Sequence, residues 1–216
     1  MECQVQNGYR GVVAPPADPA TLTAKGRTTR ARIIDAAAGL VFVHGVERTA
    51  LEAVRNEAGV SASQLYHYFA DKQDLVRAVV ARQSEAVLAA QQPWLAQLDS
   101  LAAFRAWADA LVELQRQRHC VGGCPIGSIG IEVGEDDPLV RADVAVGLQR
   151  WQDALTEGLR RVRTSGELPA DFDVEVAGLA LLAAVQGGLV LTQARRDPEP
   201  LRVALATVLD SFEQQR

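Results

Sequence analysis

Ser61-Ala62-Ser63-Gln64 is the stretch in which residue type and spacing point most directly to chemistry. It has the S/T-x-x-E/Q form of a capping box, in which a cap hydroxyl bonds an orphan amide and the third helical residue reaches back. Thr49-Ala50-Leu51-Glu52, twelve residues earlier, has the same form. Two helix starts so close together leave room for a short helix ending near Ala58, a left-handed Gly59 and a buried Val60, which is a helix-turn-helix. The second helix of such a unit offers its first turn to the major groove. There Ala62 suits a thymine methyl, Ser63 bonds either type of base pair and Gln64 pairs adenine bidentately. Gln64 has a competing use, because its amide can close the box on Ser61 instead. Tyr66 and His67, one turn further on, point toward backbone or base. Lys72 stands at the next helix start, where amides also favour anions, and is assigned as a phosphate clamp. Leu65 and Phe69 lie on the opposite face as core, with Tyr68 structural.

His119-Cys120-Val121-Gly122-Gly123-Cys124 offers a different chemistry. As a metal site it has three donors and no second pair, so a closed zinc site is not expected. As a thiol pair it suits oxidant sensing, with Cys124 close to a helix start. The plainer reading is a helix junction shaped by the glycines and Pro125, with Cys124 as a small packing residue. No Ser/His/Asp set or phosphate loop is visible, and His44, His67 and His119 are scattered. Neither an enzyme nor a cofactor or metal is expected.

The elements that must position these residues are helical throughout, and the expected fold class is all-α. Ile33, Ile34, Ala37, Leu40 and Val41 recur at helical spacing in a helix from Thr28 to Gly45. Further helices are expected at Asp71 to about Gln92, Leu101 to Arg118, Ile126 to Val133, Leu139 to Arg163, Asp173 to Arg196 and Glu199 to Gln214. Residues 1–24, rich in Gly, Pro, Asn and Asp with no apolar period, read as a tail without fixed structure. The segment Val174 to Gln193 is apolar but carries Glu175, Gln186 and Gln193, so it reads as a soluble core helix; no membrane partner and no secretion signal are expected. Three cysteines in 216 residues fit a reducing, cytoplasmic setting.

Net charge is −5, which argues against coating nucleic acid by charge alone. The charge is segregated, however. Residues 25–77 hold eight basic and six acidic side chains, while residues 78–216 hold thirteen and nineteen. Only two of the 22 basic residues are lysines, Lys25 and Lys72.

The segment from Thr28 to Leu75 resembles the DNA-binding domain of TetR-family transcriptional repressors, through Phe42 and Gly45, Ala58-Gly59-Val60-Ser61, Leu65-Tyr66-x-Tyr68-Phe69 and Asp71-Lys72-x-x-Leu75. Gly123 to Glu132, Trp151 and Gln186 to Leu201 resemble more narrowly the LmrA/YxaF-like subgroup. The resemblance implies a helix-turn-helix domain over 25–77 and a helical effector-binding and dimerisation domain over 78–216. It implies a homodimer whose last two helices pair with those of a second copy, bound to a near-palindromic double-stranded DNA operator. Thr49, Arg27, Thr28 and Arg30 would approach the DNA backbone. Arg55 departs from the small residue usual at its position, which puts the angle between the two helices in question. An effector pocket among the central helices would draw on Trp107, Leu111, Gln115, Ile126, Ile129, Trp151, Leu155 and Gln186, whose apolar walls and neutral amides suit an uncharged or aromatic molecule. Glu113 and Glu132 leave a cation open. A helix-turn-helix adaptor without DNA binding and a redox regulator acting through Cys120 and Cys124 are the alternative functions.

Overall fold

The computed structural model describes residues 16–133 and 136–215. The described residues form helices and turns with no strand. The helices are α1 (Ala24–His44), α2 (Leu51–Ala58), α3 (Ala62–Tyr68), α4 (Lys72–Ala90), α5 (Leu101–Gln117), α6 (Pro125–Val133), α7 (Pro138–Thr164), α8 (Val174–Arg195) and α9 (Glu199–Glu213).

Helix α1 starts four residues before the expected Thr28, because Thr23 caps it by accepting the Gly26 N–H at 3.1 Å. The preceding residues also carry structure where a tail is expected: Pro19–Thr21 form a 3-10 turn, and the Ala17 N–H donates to the His67 carbonyl at 2.8 Å. Residues 1–15, Cys3 among them, lie outside the described residues. Gly45, at φ 83°, ends α1 as expected.

The capping box at Thr49 does not form. Ala50 occupies the cap position of α2 without a side-chain bond, and Thr49 is buried, its hydroxyl donating to the Gly45 carbonyl at 2.7 Å. A buried hydroxyl must find a partner, and the turn behind it supplies one. The box at Ser61 does form, and Gly59 takes the left-handed conformation (φ 61°, ψ 44°) with Val60 buried behind it. Val54, Ala58, Leu65 and Phe69 close the core of this unit against Ile33 and Ala37. Arg55 turns outward to Glu52 at 3.4 Å and Asn56 at 3.3 Å, so no large side chain is forced between α2 and α3.

Helix α4 is capped reciprocally, with Asp71 accepting from the Asp74 N–H and Asp74 from the Ala70 N–H. It then runs without interruption from the helix-turn-helix into the rest of the chain, packing on α1, α6 and α7. Helices α7, α8 and α9 stack in turn, and α5 lies on α9. One continuous apolar core joins all of these helices. Helix α8 is long and apolar enough to cross a membrane, with mean hydropathy 1.9 over its richest window, yet Leu181 and Val185 have no exposed surface.

Candidate nucleic-acid interface and effector cavity

The first turn of α3 is exposed at Ser61, Ala62, Ser63 and Gln64, with Tyr66 and His67 exposed beyond it. Ser61 Oγ and Ser63 Oγ lie 3.0 Å apart. Gln64 Oε1 accepts the Ser61 N–H at 2.9 Å while the Gln64 N–H donates to Ser61 Oγ at 3.2 Å. The competition between capping and base contact therefore has a definite form. Bidentate pairing with adenine needs the amide oxygen, which is occupied, and Nε2 is left as a donor on an exposed residue. The His67 ring meets Tyr68 edge-on at 4.9 Å.

The cations around this face are held by the protein itself. Lys72 Nζ donates to the Glu47 carbonyl at 3.1 Å, which uses one of its three N–H bonds and fixes the ammonium beside the turn after α1. Arg27 donates to the Leu22 carbonyl at 2.7 Å, and the Thr28 hydroxyl to the Ala24 carbonyl at 3.1 Å. Both side chains stay exposed at the start of α1. Arg30 lies over the Phe69 ring at 5.0 Å and is pinned to the domain core by a cation–π contact. Thr49 is buried and has committed its hydroxyl inward.

A cavity of about 110 Å³ lies between α4, α5, α7, α8 and the turn leading into α6. Three of the eight expected residues border it: Leu111, Gln115 and Trp151. The others stand elsewhere. Ile126 and Leu155 are 1% and 0% exposed and belong to the solid core. Trp107 donates from Nε1 to Gln91 Oε1 at 2.9 Å and lines a neighbouring depression with Trp94. Ile129 borders a separate depression beside Glu132, and Gln186 packs half-buried against Gly127. Periodicity marks which face of a helix is buried but not which buried side chains border a void. The wall missed in the sequence is the late face of α4, Gln83, Ala86, Val87 and Ala90, whose three- and four-residue spacing was its available signal. Arg118, Gly123 and Cys124 complete the lining.

Cys120 and Cys124 are both buried and free. Cys124 Sγ accepts the Gly127 N–H at 3.4 Å at the start of α6, and left-handed conformations at His119, Cys120, Gly122 and Gly123 turn the chain sharply before it. Among the described residues no three His, Cys, Asp or Glu side chains converge as a metal site.

Helix α6 connects this cavity to the helix-turn-helix at both of its ends. At its start, Gly122 lies against the Phe42 ring of α1, so close that an added Cβ would fall 2.0 Å from a ring carbon. At its far end the Glu132 carboxylate accepts the Val46 and Glu47 N–H bonds, each at 2.8 Å. Gly45 leaves room for that carboxylate, which would sit 2.8 Å from any Cβ there. Glu132 is thus spent on the backbone and is not a partner for a cationic ligand. Glu47 in turn holds Lys72 through its carbonyl.

Two family profiles match the chain. Residues 33–79 match the family described as bacterial regulatory proteins, tetR family, and residues 100–208 match the tetracyclin repressor-like C-terminal domain. The chain belongs to the TetR family of bacterial transcriptional regulators. The HTH-type transcriptional regulator SrpR of Pseudomonas putida is 26% identical over 155 residues, covering 71% of this chain and 70% of that protein. The regulator TtgR of Pseudomonas putida is 27% identical over 178 residues, covering 76% and 79%. Among solved structures, a TetR transcriptional regulator from Chloroflexus aurantiacus superposes with a TM-score of 0.76 at 24% identity, covering 89% of this chain and 98% of that one. The SmeT–triclosan complex superposes with a TM-score of 0.64 at 25% identity, covering 85% and 91%. These matches do not extend to the LmrA/YxaF-like subgroup. Like its relatives, this TetR-family chain is a DNA-binding regulator and not an enzyme.

Ion pairs tie the TetR-type DNA-binding unit to the helices behind it. Arg77 of α4 meets Asp143 of α7 at 2.6 Å, and Arg82 of α4 meets Asp35 of α1 at 2.8 Å. Each carboxylate raises its arginine above the ordinary guanidinium range, chiefly through the hydrogen bond. Both pairs are partly exposed, so each fixes orientation more than it adds stability.

Proposed function

We infer that this chain is a one-component repressor: a dimer that binds a near-palindromic operator and is released by a small molecule in the cavity between α4, α5 and α7. The observation that carries the reading is the double hydrogen bond from Glu132 to Val46 and Glu47. Gly123, Cys124 and Pro125 form both the cavity wall and the start of α6, so a ligand that displaces them moves the helix whose other end holds the turn between α1 and α2. A ligand acts only through its different affinity for the two positions of that helix.

An exposed apolar stripe supports the dimer. Val176, Leu179, Ala183, Gly187 and Val190 recur along α8 at three- and four-residue spacing, and Val203 of α9 is exposed as well. Such a stripe is covered most simply by the same stripe of a second copy. The two α3 helices then enter successive major grooves roughly 34–36 Å apart. The weak basicity of residues 25–77 implies low non-specific affinity, so both half-sites must be engaged. The reading places the protein in the cytoplasm.

Fluorescence anisotropy with the DNA upstream of its own coding sequence tests this. Saturable binding by a dimer, outcompeting unrelated DNA at 150 mM salt, is expected. A folded dimer with no preference for any such fragment, even at low salt, would contradict it and favour the adaptor.

A further inference from the structure

We propose that the cavity takes a small carboxylate, an acid with an apolar body smaller than a benzene ring. The proposal rests on the reading of this cavity as the effector site and specifies its ligand. Three polar groups on the wall have no partner among the described residues. Trp151 Nε1 is buried without a hydrogen-bond acceptor. The Gln115 side-chain amide, in a residue 5% exposed, makes no hydrogen bond. Arg118, the residue that ends α5, lies at the mouth with its guanidinium unpaired.

The remaining wall narrows the class further. No Asp or Glu borders the cavity. The buried amide of Gln91 is already used, accepting from Trp107 Nε1 and donating to the Val87 carbonyl, each at 2.9 Å. A ligand ammonium therefore meets a cation and no carboxylate, and a hydroxyl gains no charge-assisted bond, whereas a carboxylate meets an indole N–H, an amide NH₂ and a guanidinium. An ionised acid leaves water only when such charge-assisted bonds replace its hydration. Leu111, Leu114 and Leu189 supply the apolar surface for its body. The volume sets the size: a cavity of about 150 Å³ holds benzene, and this one measures about 110 Å³.

Calorimetric titration of the full chain with propionate and butyrate, beside propionamide and butyramide, tests the assignment. The acids are expected to bind at least tenfold more tightly than the matching amides. Arg118→Gln is expected to bring the acids down to the amides' affinity while leaving the circular dichroism spectrum intact. Leu111→Trp, which fills the cavity, is expected to abolish binding of both series. Amides that equal the acids and are lost in Leu111→Trp would overturn the carboxylate class and leave the cavity as the effector site. Acids that still bind Leu111→Trp would overturn the site itself. No binding by any of the four probes at 50 mM would overturn the proposal outright.

Discussion

The carboxylate of Glu132 accepts the N–H of Val46 at 2.8 Å across 86 residues of sequence, and its other oxygen accepts from Glu47 at the same distance. A carboxylate on the last turn of α6 thereby does for the turn between α1 and α2 what a capping side chain does for a helix. Removing it frees both amides. In Glu132→Ala, hydrogen exchange at Val46 and Glu47 is expected to speed up about tenfold, corresponding to roughly 1.4 kcal/mol of local protection. Exchange in α8 should be unchanged. Equal protection at Val46 in the variant would show that the bond does not hold the turn.

Gln64 separates capping from base reading. Gln64→Glu keeps an oxygen for the Ser61 N–H, so thermal stability should stay within about 0.5 kcal/mol of the parent. It loses the Nε2 donor and adds a negative charge, so operator affinity should fall at least tenfold. Ser61→Ala makes the opposite separation first, costing about 1 kcal/mol of stability. An operator affinity untouched by Gln64→Glu would confine the residue to capping.

The adjacent glycines of α8 face different neighbours. A Cβ at Gly188 would meet the Leu201 Cα at 2.9 Å, so α9 must shift, and Gly188→Ala is expected to destabilise by about 1–3 kcal/mol. A Cβ at Gly187 meets nothing of its own chain within 4 Å. Gly187→Ala should therefore gain up to about 1 kcal/mol of helix stability. If the stripe is the dimer seam, sedimentation should show weaker self-association in Gly187→Ala and a monomer in Leu179→Glu. A stable Leu179→Glu dimer would place the seam elsewhere.

Asp137 gives a pH dependence of known sign. It caps α7 by accepting the Val140 and Leu139 N–H bonds, and the Val140 bond first, then a Gln73 side-chain bond and the Leu139 bond, hold its carboxyl below the ordinary carboxylate range. Its stabilisation is thus complete at neutral pH, above its unfolded-state pKa, and is lost as pH falls through the lower folded-state value. The difference in unfolding free energy between the parent and Asp137→Ala, about 1 kcal/mol at pH 7, should shrink in that acidic window as the charge-assisted part of the cap is lost. A difference independent of pH down to pH 2.5 would rule out the carboxylate as its source.

What the sequence made legible follows from the range of each interaction. The helices, the turn at Gly59 and the box at Ser61 depend on neighbours three or four residues away, and so could be read directly. The false box at Thr49 has the same local pattern, but burial of its hydroxyl against Gly45 is a tertiary effect. The cavity was only partly legible, because Leu111, Gln115 and Trp151 border it while Ile126 and Leu155, on equally periodic helices, fill solid core. The sequence leaves Glu132 open as a partner for a cation. Its true partners are backbone amides in the turn between α1 and α2, and no spacing rule reports those. Arg118, at a helix end, carried no local mark of the void beside it.

In the proposed repressor, α6 transmits the state of the cavity to the DNA-binding unit through Glu132. A double-mutant cycle of operator affinity, with Leu111→Trp filling the cavity and Glu132→Ala cutting the link, tests it most directly. Leu111→Trp is expected to weaken operator binding at least tenfold in the parent and less than twofold in the Glu132→Ala background. The same loss in both backgrounds would mean that Glu132 does not carry the coupling.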